Sequence, residues 1–134
     1  MLKPHFSSSF DYQLMHRLLT VADYYQGQAG LNPVVVAAVV HDRRILSVGI
    51  HRSFGEQHAE VIALQKLGQS AEGMSIYVTL SPCTHFGKTP PCTDLIIQSG
   101  IKKVVYACVD LNPIHSNVSA DSVLIKSGVE VVSN

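Results

Sequence analysis

Four residues in this chain are of types and spacings that could do chemistry together. His58 and Glu60 lie in "QHAEVIAL", and Cys83 and Cys92 close the two ends of "CTHFGKTPPC". One imidazole and two thiolates supply three ligands of a tetrahedral zinc site and leave the fourth position open for water. An open site is a catalytic rather than a structural pattern, because the metal brings the pKa of its water down to roughly 7 and makes hydroxide available at neutral pH. Hydroxide chemistry also needs a group that moves protons. Glu60, two residues beyond the histidine, is placed to point at that water without binding the metal.

Each residue has a plainer reading when taken alone. His58 near a helix start is a surface or capping residue. Glu60 is a solvated first-turn carboxylate, and Cys83 and Cys92 are small buried hydrophobes. A structural zinc site would want a fourth protein ligand, and Cys108 is the one cysteine left. It sits inside the apolar run "VVYACVD", which reads as core. Taken jointly, H-A-E, then a strand, then a proline–cysteine segment whose second cysteine opens a helix, is more specific than any of its parts.

The elements that must position these residues follow from periodicity. Leu14, Leu18, Val21, Ala22 and Tyr25 fall at helical spacing, so a helix is expected over 10–26, with Asp11 as its cap and "GQAGLNP" as the loop that ends it. The β-branched run after Pro33 predicts a strand over 33–40. "HDRR" is a tight turn, and a strand over 45–50 returns as an antiparallel hairpin. A helix over 58–67 follows, with Ala59, Ile62, Ala63 and Leu67 facing a sheet and Gly68 closing it. A strand over 75–80 leads into Cys83. Pro90 and Pro91 precede a helix over 92–98, and strands over 103–109 and 129–132 flank a last helix over 120–126. The order α-β-β-α-β-α-β-α-β implies parallel neighbours wherever a helix separates two strands, with right-handed crossovers. The expected fold is α/β: three layers, α/β/α, around a mixed five-stranded sheet.

Composition bounds the rest. A chain of 134 residues is one domain by prior, and it can bury roughly two-thirds of its unfolded surface without a disulfide staple. Apolar residues make up 46% and charged residues 15%, which is globular rather than disordered. Ten basic residues balance ten acidic ones, which argues against a long nucleic-acid track. No signal peptide or membrane-spanning run is visible, so a cytoplasmic location is expected. In a reducing compartment, cysteines near a histidine are ligands or nucleophiles more often than disulfide halves.

Once these residues are set side by side, the chain resembles the cytidine-deaminase-like superfamily, whose zinc members carry H-x-E and a cysteine pair. More narrowly it resembles the pyrimidine deaminase domain of bacterial riboflavin biosynthesis. "PCTHFGKTPPC" fits the pattern P-C-S/T-H-x-G-R/K-T-P-P-C of that branch, with eight residues between the cysteines where most of the superfamily has two. "GEQHAE", "YVTLSPC" and "QSGIKKVVYACVDLNP" fit as well, and the resemblance spans about residues 11–132. It implies a single zinc-dependent deaminase domain over 1–134 with no reductase domain, and Zn2+ as cofactor. The implied reaction is hydrolytic removal of ammonia from an aminated pyrimidine ribosylamino 5′-phosphate. In it His58, Cys83 and Cys92 bind the metal, and Glu60 shuttles protons from water to the ring nitrogen and the leaving amine. Asn32, His51, Ala59, His85 and Lys88 are the implied substrate-binding residues, with Lys88 as a point charge for phosphate. The implied partners are that small phosphorylated substrate, a further copy of the chain in a homo-oligomer, and a separate reductase, with no membrane and no nucleic acid.

The chain departs from the family at Val36, where glycine is usual. It departs again at "IHSNVSA", where a glycine-rich segment is usual. It also ends at Asn134, where the family's deaminase is usually fused to a reductase, which leaves two readings open: a monofunctional protein or a fragment of a fusion. The first departure predicts a differently seated strand beside the pocket, and the second a changed wall at the ribose-phosphate end. Two alternatives stay open on sequence: a deaminase of another nucleoside, nucleotide or RNA base, and a degenerate, non-catalytic protein of the same fold.

Overall fold

A computed structural model describes residues 8–29, 33–53, 55–84, 91–108 and 120–133, without the side chains of 28 and 29. The first helix, α1 (Ser9–Ala29), buries Leu14, Met15, Leu18, Leu19 and Ala22 along one stripe. Its cap is Ser8, whose hydroxyl oxygen accepts the Asp11 N–H at 3.3 Å. Asp11, expected as the cap, lies one turn in. There its carboxylate is buried, accepts the Tyr77 hydroxyl and pairs with Lys103 Nζ at 3.3 Å. The helix also runs past its expected end. Gly27 is a weak breaker within a helix, and the chain is tied back where Gln26 Oε1 accepts the Val34 N–H at 2.8 Å.

β1 (Val35–His41) and β2 (Arg44–His51) form the expected antiparallel hairpin. Asp42 and Arg43 turn it with φ of 50° and 62°, the left-handed pair whose twist suits a two-residue hairpin loop. The remaining elements are α2 (Ala59–Leu67), β3 (Ser75–Leu80), α3 (Cys92–Gln98), β4 (Lys103–Cys108), α4 (Ala120–Lys126) and β5 (Glu130–Ser133). β5 starts one residue later than expected, because the Val129 N–H turns back to Leu124 O at 3.0 Å and closes α4 around Gly128.

The sheet order is β2-β1-β3-β4-β5. β3, β4 and β5 are parallel neighbours, as expected of strands joined by helices. β2 and β3 are not neighbours, although α2 joins them. β3 pairs antiparallel with the far side of β1 and leaves β2 at the edge. The α2 crossover spans one strand, which the handedness rule permits but does not reveal.

Two apolar clusters sandwich the sheet. One joins α1 to Val36, Ala38, Val40, Tyr77 and Val105; the other joins α2, α3 and α4 to Ala37, Val39, Ile76, Val78 and Val104. The three layers are therefore α1, sheet, and the remaining helices, the expected α/β/α arrangement. Strand alternation points the fully buried Val36 at α1, away from the face that carries His58 and Glu60. Near that residue the β1–β3 pairing ends at Ala37–Val78, and the Thr79 hydroxyl oxygen takes the Val36 N–H at 3.1 Å. Cys108, expected in the core, is exposed. It is the last residue of β4, beyond the stretch that the two layers cover. Among the described residues no helix is long and apolar enough to cross a membrane.

Candidate active site

α2 begins where β2 hands the chain back across the sheet. His58 occupies its N-cap position, one residue before the helix, with extended backbone (φ −65°, ψ 155°) and no side-chain cap bond. Its ring turns instead towards sulfur: Nδ1 lies 3.2 Å from Cys92 Sγ and 3.6 Å from Cys83 Sγ. Glu60 follows in the first turn and is 4% exposed. The helix can sit this close to β2 because Gly49 lacks a side chain: a Cβ there would stand 2.1 Å from the Ala59 carbonyl oxygen and 2.6 Å from the Ala63 nitrogen. Two residues earlier on the same face, the Ser47 hydroxyl donates to the Ala63 carbonyl at 2.7 Å. Gly49 and Ser47 therefore fix where His58 and Glu60 stand. Sequence reading passed over both; a glycine inside a strand was the available sign of close backbone approach.

Cys83 follows β3 and Cys92 is the first residue of α3. The Cys92 N–H donates to Cys83 Sγ at 3.2 Å. His58, Cys83 and Cys92 bring one donor atom each to within 4.8 Å of one another, and among the described residues no fourth His, Cys, Asp or Glu joins that group. Metal–nitrogen bonds of about 2.0–2.1 Å and metal–sulfur bonds of about 2.3 Å at tetrahedral angles require N···S edges of about 3.6 Å. The observed edges of 3.2 and 3.6 Å fit that shape, so the donor set suits zinc.

The electrostatics of the bare site point the same way. Cys83 is pushed down to about 4, first by its hydrogen bond with Cys92, with His58 and the Cys92 backbone N–H adding to the effect against burial. Cys92 is pushed up by that same bond and by burial. Its hydrogen bond to Cys83 raises His58. Burial raises Glu60 from 4.5 to about 7, its own backbone hydrogen bond opposes this, and the negative charge on Cys83 adds to it. Two sulfurs and a buried carboxyl thus compete for protons in a space that a dication would neutralise.

The structure brings one further expected residue to the cluster. His51 ends β2 with its ring 5.4 Å from that of His58 and near-perpendicular to it, at 78°. Its Nδ1 lies 3.0 Å from the Gln57 carbonyl; that contact makes Nδ1 the protonated nitrogen and leaves Nε2 for another partner. Ala59 is fully buried in the α2-side cluster, with its carbonyl packed against Gly49. Asn32, His85 and Lys88 lie outside the described residues, as do Val109 and most of "IHSNVSA".

Residues 8–108 match the family model for the cytidine and deoxycytidylate deaminase zinc-binding region. The riboflavin biosynthesis protein RibD of Aquifex aeolicus is 47% identical over 121 residues, which are 90% of this chain and 34% of that protein. The diaminohydroxyphosphoribosylamino-pyrimidine deaminase of Buchnera aphidicola is 48% identical over 102 residues, covering 75% of this chain and 67% of that one. Among solved structures, the bifunctional deaminase/reductase of Thermotoga maritima superposes with a TM-score of 0.82 at 41% identity, over 92% of this chain and 36% of that one. The chain spans about a third of the length of RibD proteins such as that of Aquifex.

Proposed function

The chain belongs to the family of the cytidine and deoxycytidylate deaminase zinc-binding region, and on that footing we propose that it deaminates an aminated pyrimidine ribosylamino 5′-phosphate by zinc-dependent hydrolysis in riboflavin biosynthesis. The observation that carries this reading is the convergence of His58 Nδ1 and the two sulfurs within 4.8 Å, with buried Glu60 in the adjoining helical turn. The substrate class rests on the Buchnera and Thermotoga relatives, whose names specify that pyrimidine.

When held by His58, Cys83 and Cys92, a zinc ion supplies the Lewis acidity that makes hydroxide available near neutral pH. Glu60 does the proton work. Burial raises the Glu60 carboxyl, which makes its carboxylate a better acceptor for a proton of the attacking water and, once protonated, a donor to the ring nitrogen and the leaving amine. A C–O bond forms at the carbon that bears the exocyclic amine, the C–N bond breaks, and ammonia departs with a carbonyl in its place. His51 borders the donors from β2 and is proposed to orient the ring, with Asn32, the Ala59 main chain and His85 as further contacts and Lys88 on the phosphate. The name of the Thermotoga relative pairs the deaminase with a reductase of the uracil product. The same proposal therefore places a reduction directly downstream.

The test is ammonia release by zinc-loaded protein from that pyrimidine. Glu60→Gln should keep its zinc and lose roughly 10²–10⁴-fold in turnover. No turnover of this substrate, with clear turnover of another aminated heterocycle, would overthrow the substrate assignment.

A further inference from the structure

Helices usually begin with a side chain that accepts N–H groups of the first turn. α3 begins at Pro91, which offers no side-chain cap bond. The Cys92 N–H goes instead to Cys83 Sγ at 3.2 Å and the Thr93 N–H to the Cys83 carbonyl at 3.3 Å. Cys83 therefore acts as the cap of α3 from a distant point in the chain. The Thr93 hydroxyl adds a second donor to that same carbonyl, also at 3.3 Å. At 3.3 Å the hydroxyl bond is longer than the usual range of about 2.5–3.0 Å, as befits an acceptor shared with the Thr93 N–H.

Thr93 is 1% exposed, so bulk water does not reach its hydroxyl. Eight residues separate Cys83 from Cys92, and covalent connectivity across such a span leaves the distance between the sulfurs open. One N–H on a carbonyl sets a distance and leaves a hinge; two donors on its two lone pairs also fix the rotation of the peptide. The Cys83 carbonyl and side chain leave the same Cα, so fixing the carbonyl narrows the directions in which its sulfur can point.

We propose that Thr93 is a positioning residue: its hydroxyl locks the Cys83 peptide to the start of α3 and so sets the spacing of the two sulfur donors. This rests on the metal-site reading given above. Thr93 acts only through Cys83, so its signature is in metal binding before it is in turnover.

The experiment measures zinc affinity by chelator competition, and the sulfur-to-metal charge-transfer band of the cobalt(II) form, for wild type, Thr93→Val and Thr93→Ser. Thr93→Val keeps volume and the N–H but loses the hydroxyl. It should bind zinc about 10- to 100-fold more weakly, as outer-shell substitutions do, with a shifted cobalt band. Thr93→Ser should stay within about 3-fold of wild type. Equal affinity in wild type and Thr93→Val would overturn the proposal, as would Thr93→Ser behaving like Thr93→Val. Should Thr93→Val not fold, Thr93→Ala carries the same comparison. If both fail while Thr93→Ser folds, the hydroxyl serves global stability and the proposal falls. A wild-type protein that binds neither metal would instead overturn the metal-site reading itself.

Discussion

Replacing Gly49 with alanine should damage the site without touching any of its reactive groups. The added Cβ would stand 2.1 Å from the Ala59 carbonyl oxygen, 2.6 Å from the Ala63 nitrogen and 2.9 Å from the Ile62 Cβ. Two of these are backbone atoms of α2, so no side chain can swing aside. Ordinary contact demands a retreat of α2 by about 1 Å. Ala59 lies between His58 and Glu60, so both move with it, and the His58–sulfur edges of 3.2 and 3.6 Å would open beyond what a tetrahedral zinc site spans. Overpacking of this kind costs about 1–3 kcal/mol, and stretching the Ser47–Ala63 bond adds about 1 kcal/mol. For a domain of this size the sum lowers Tm by roughly 10 °C. A displacement of about 1 Å in the catalytic groups costs on the order of 10²-fold in turnover.

The assays are thermal unfolding of the metal-free protein, zinc affinity by chelator competition, and ammonia release. Gly27→Ala is the control: nothing lies within 4 Å of its Cβ position, and the change from glycine to alanine in a helix should leave stability equal or raise it by up to about 1 kcal/mol. If Gly49→Ala melts within about 2 °C of wild type and binds zinc equally well, then α2 is not held by this contact and the reasoning fails.

Two further predictions concern buried ionisable groups. Because the Glu60 carboxyl is raised from 4.5 to about 7 in the folded, metal-free protein, the unfolded chain gives up this proton first as pH rises. The stability that Glu60 itself contributes therefore falls between those pH values, and Glu60→Gln should be the more stable protein above pH 7 by about 3 kcal/mol, a margin that vanishes at pH 4; urea unfolding at both ends checks it, and a margin independent of pH would refute it. Tyr77→Phe removes the hydroxyl that Asp11 accepts in the buried start of α1 and leaves Lys103 as partner, which should cost about 1–3 kcal/mol. Lys103 begins β4 at the end of the sheet remote from Cys83, so zinc affinity should stay within about 2-fold, as a paired melt and chelator titration would show.

What the sequence made legible was whatever its local pattern determines. The hairpin turn could be read from "HDRR" because the strands on either side set the register, even without a glycine in the turn. His58, Cys83 and Cys92 could be grouped because thiols occur at only three positions and H-A-E and P-C…P-C are compact local patterns. The position of β3 could not be read. A helix between two strands fixes the hand of the crossing and their common direction, but not how many strands it passes over, and here it passes over β1. Cys108 was misjudged because an apolar run gives the strand but not the point where the helical layers stop covering it. Ser47 and Thr93 were invisible for a different reason, and Gly49 signalled a close approach within its strand but not its partner. Each acts on a residue 10 or more positions away, and no local periodicity encodes such a pairing.

Those three residues bear on why the helices that bring the donors start as they do. The N-cap positions of α2 and α3 hold His58 and Pro91, and neither makes a side-chain cap bond. A serine or aspartate at either place would contribute about 1 kcal/mol to its helix. At the start of α2 it would also remove an imidazole from the donor set. At the start of α3 it would compete with Cys83 for the Cys92 and Thr93 N–H groups that orient its sulfur and carbonyl. The site therefore takes over the polar groups that would otherwise close the two helices, and their fixation passes to Gly49 and Ser47 under α2 and to Thr93 under Cys83. A donor triad placed on capped helices would leave its donors free to turn away. Here the groups that complete the helix starts are the groups that aim the donors, so the order of the fold at this end of the sheet and the geometry of the donor set cannot vary independently.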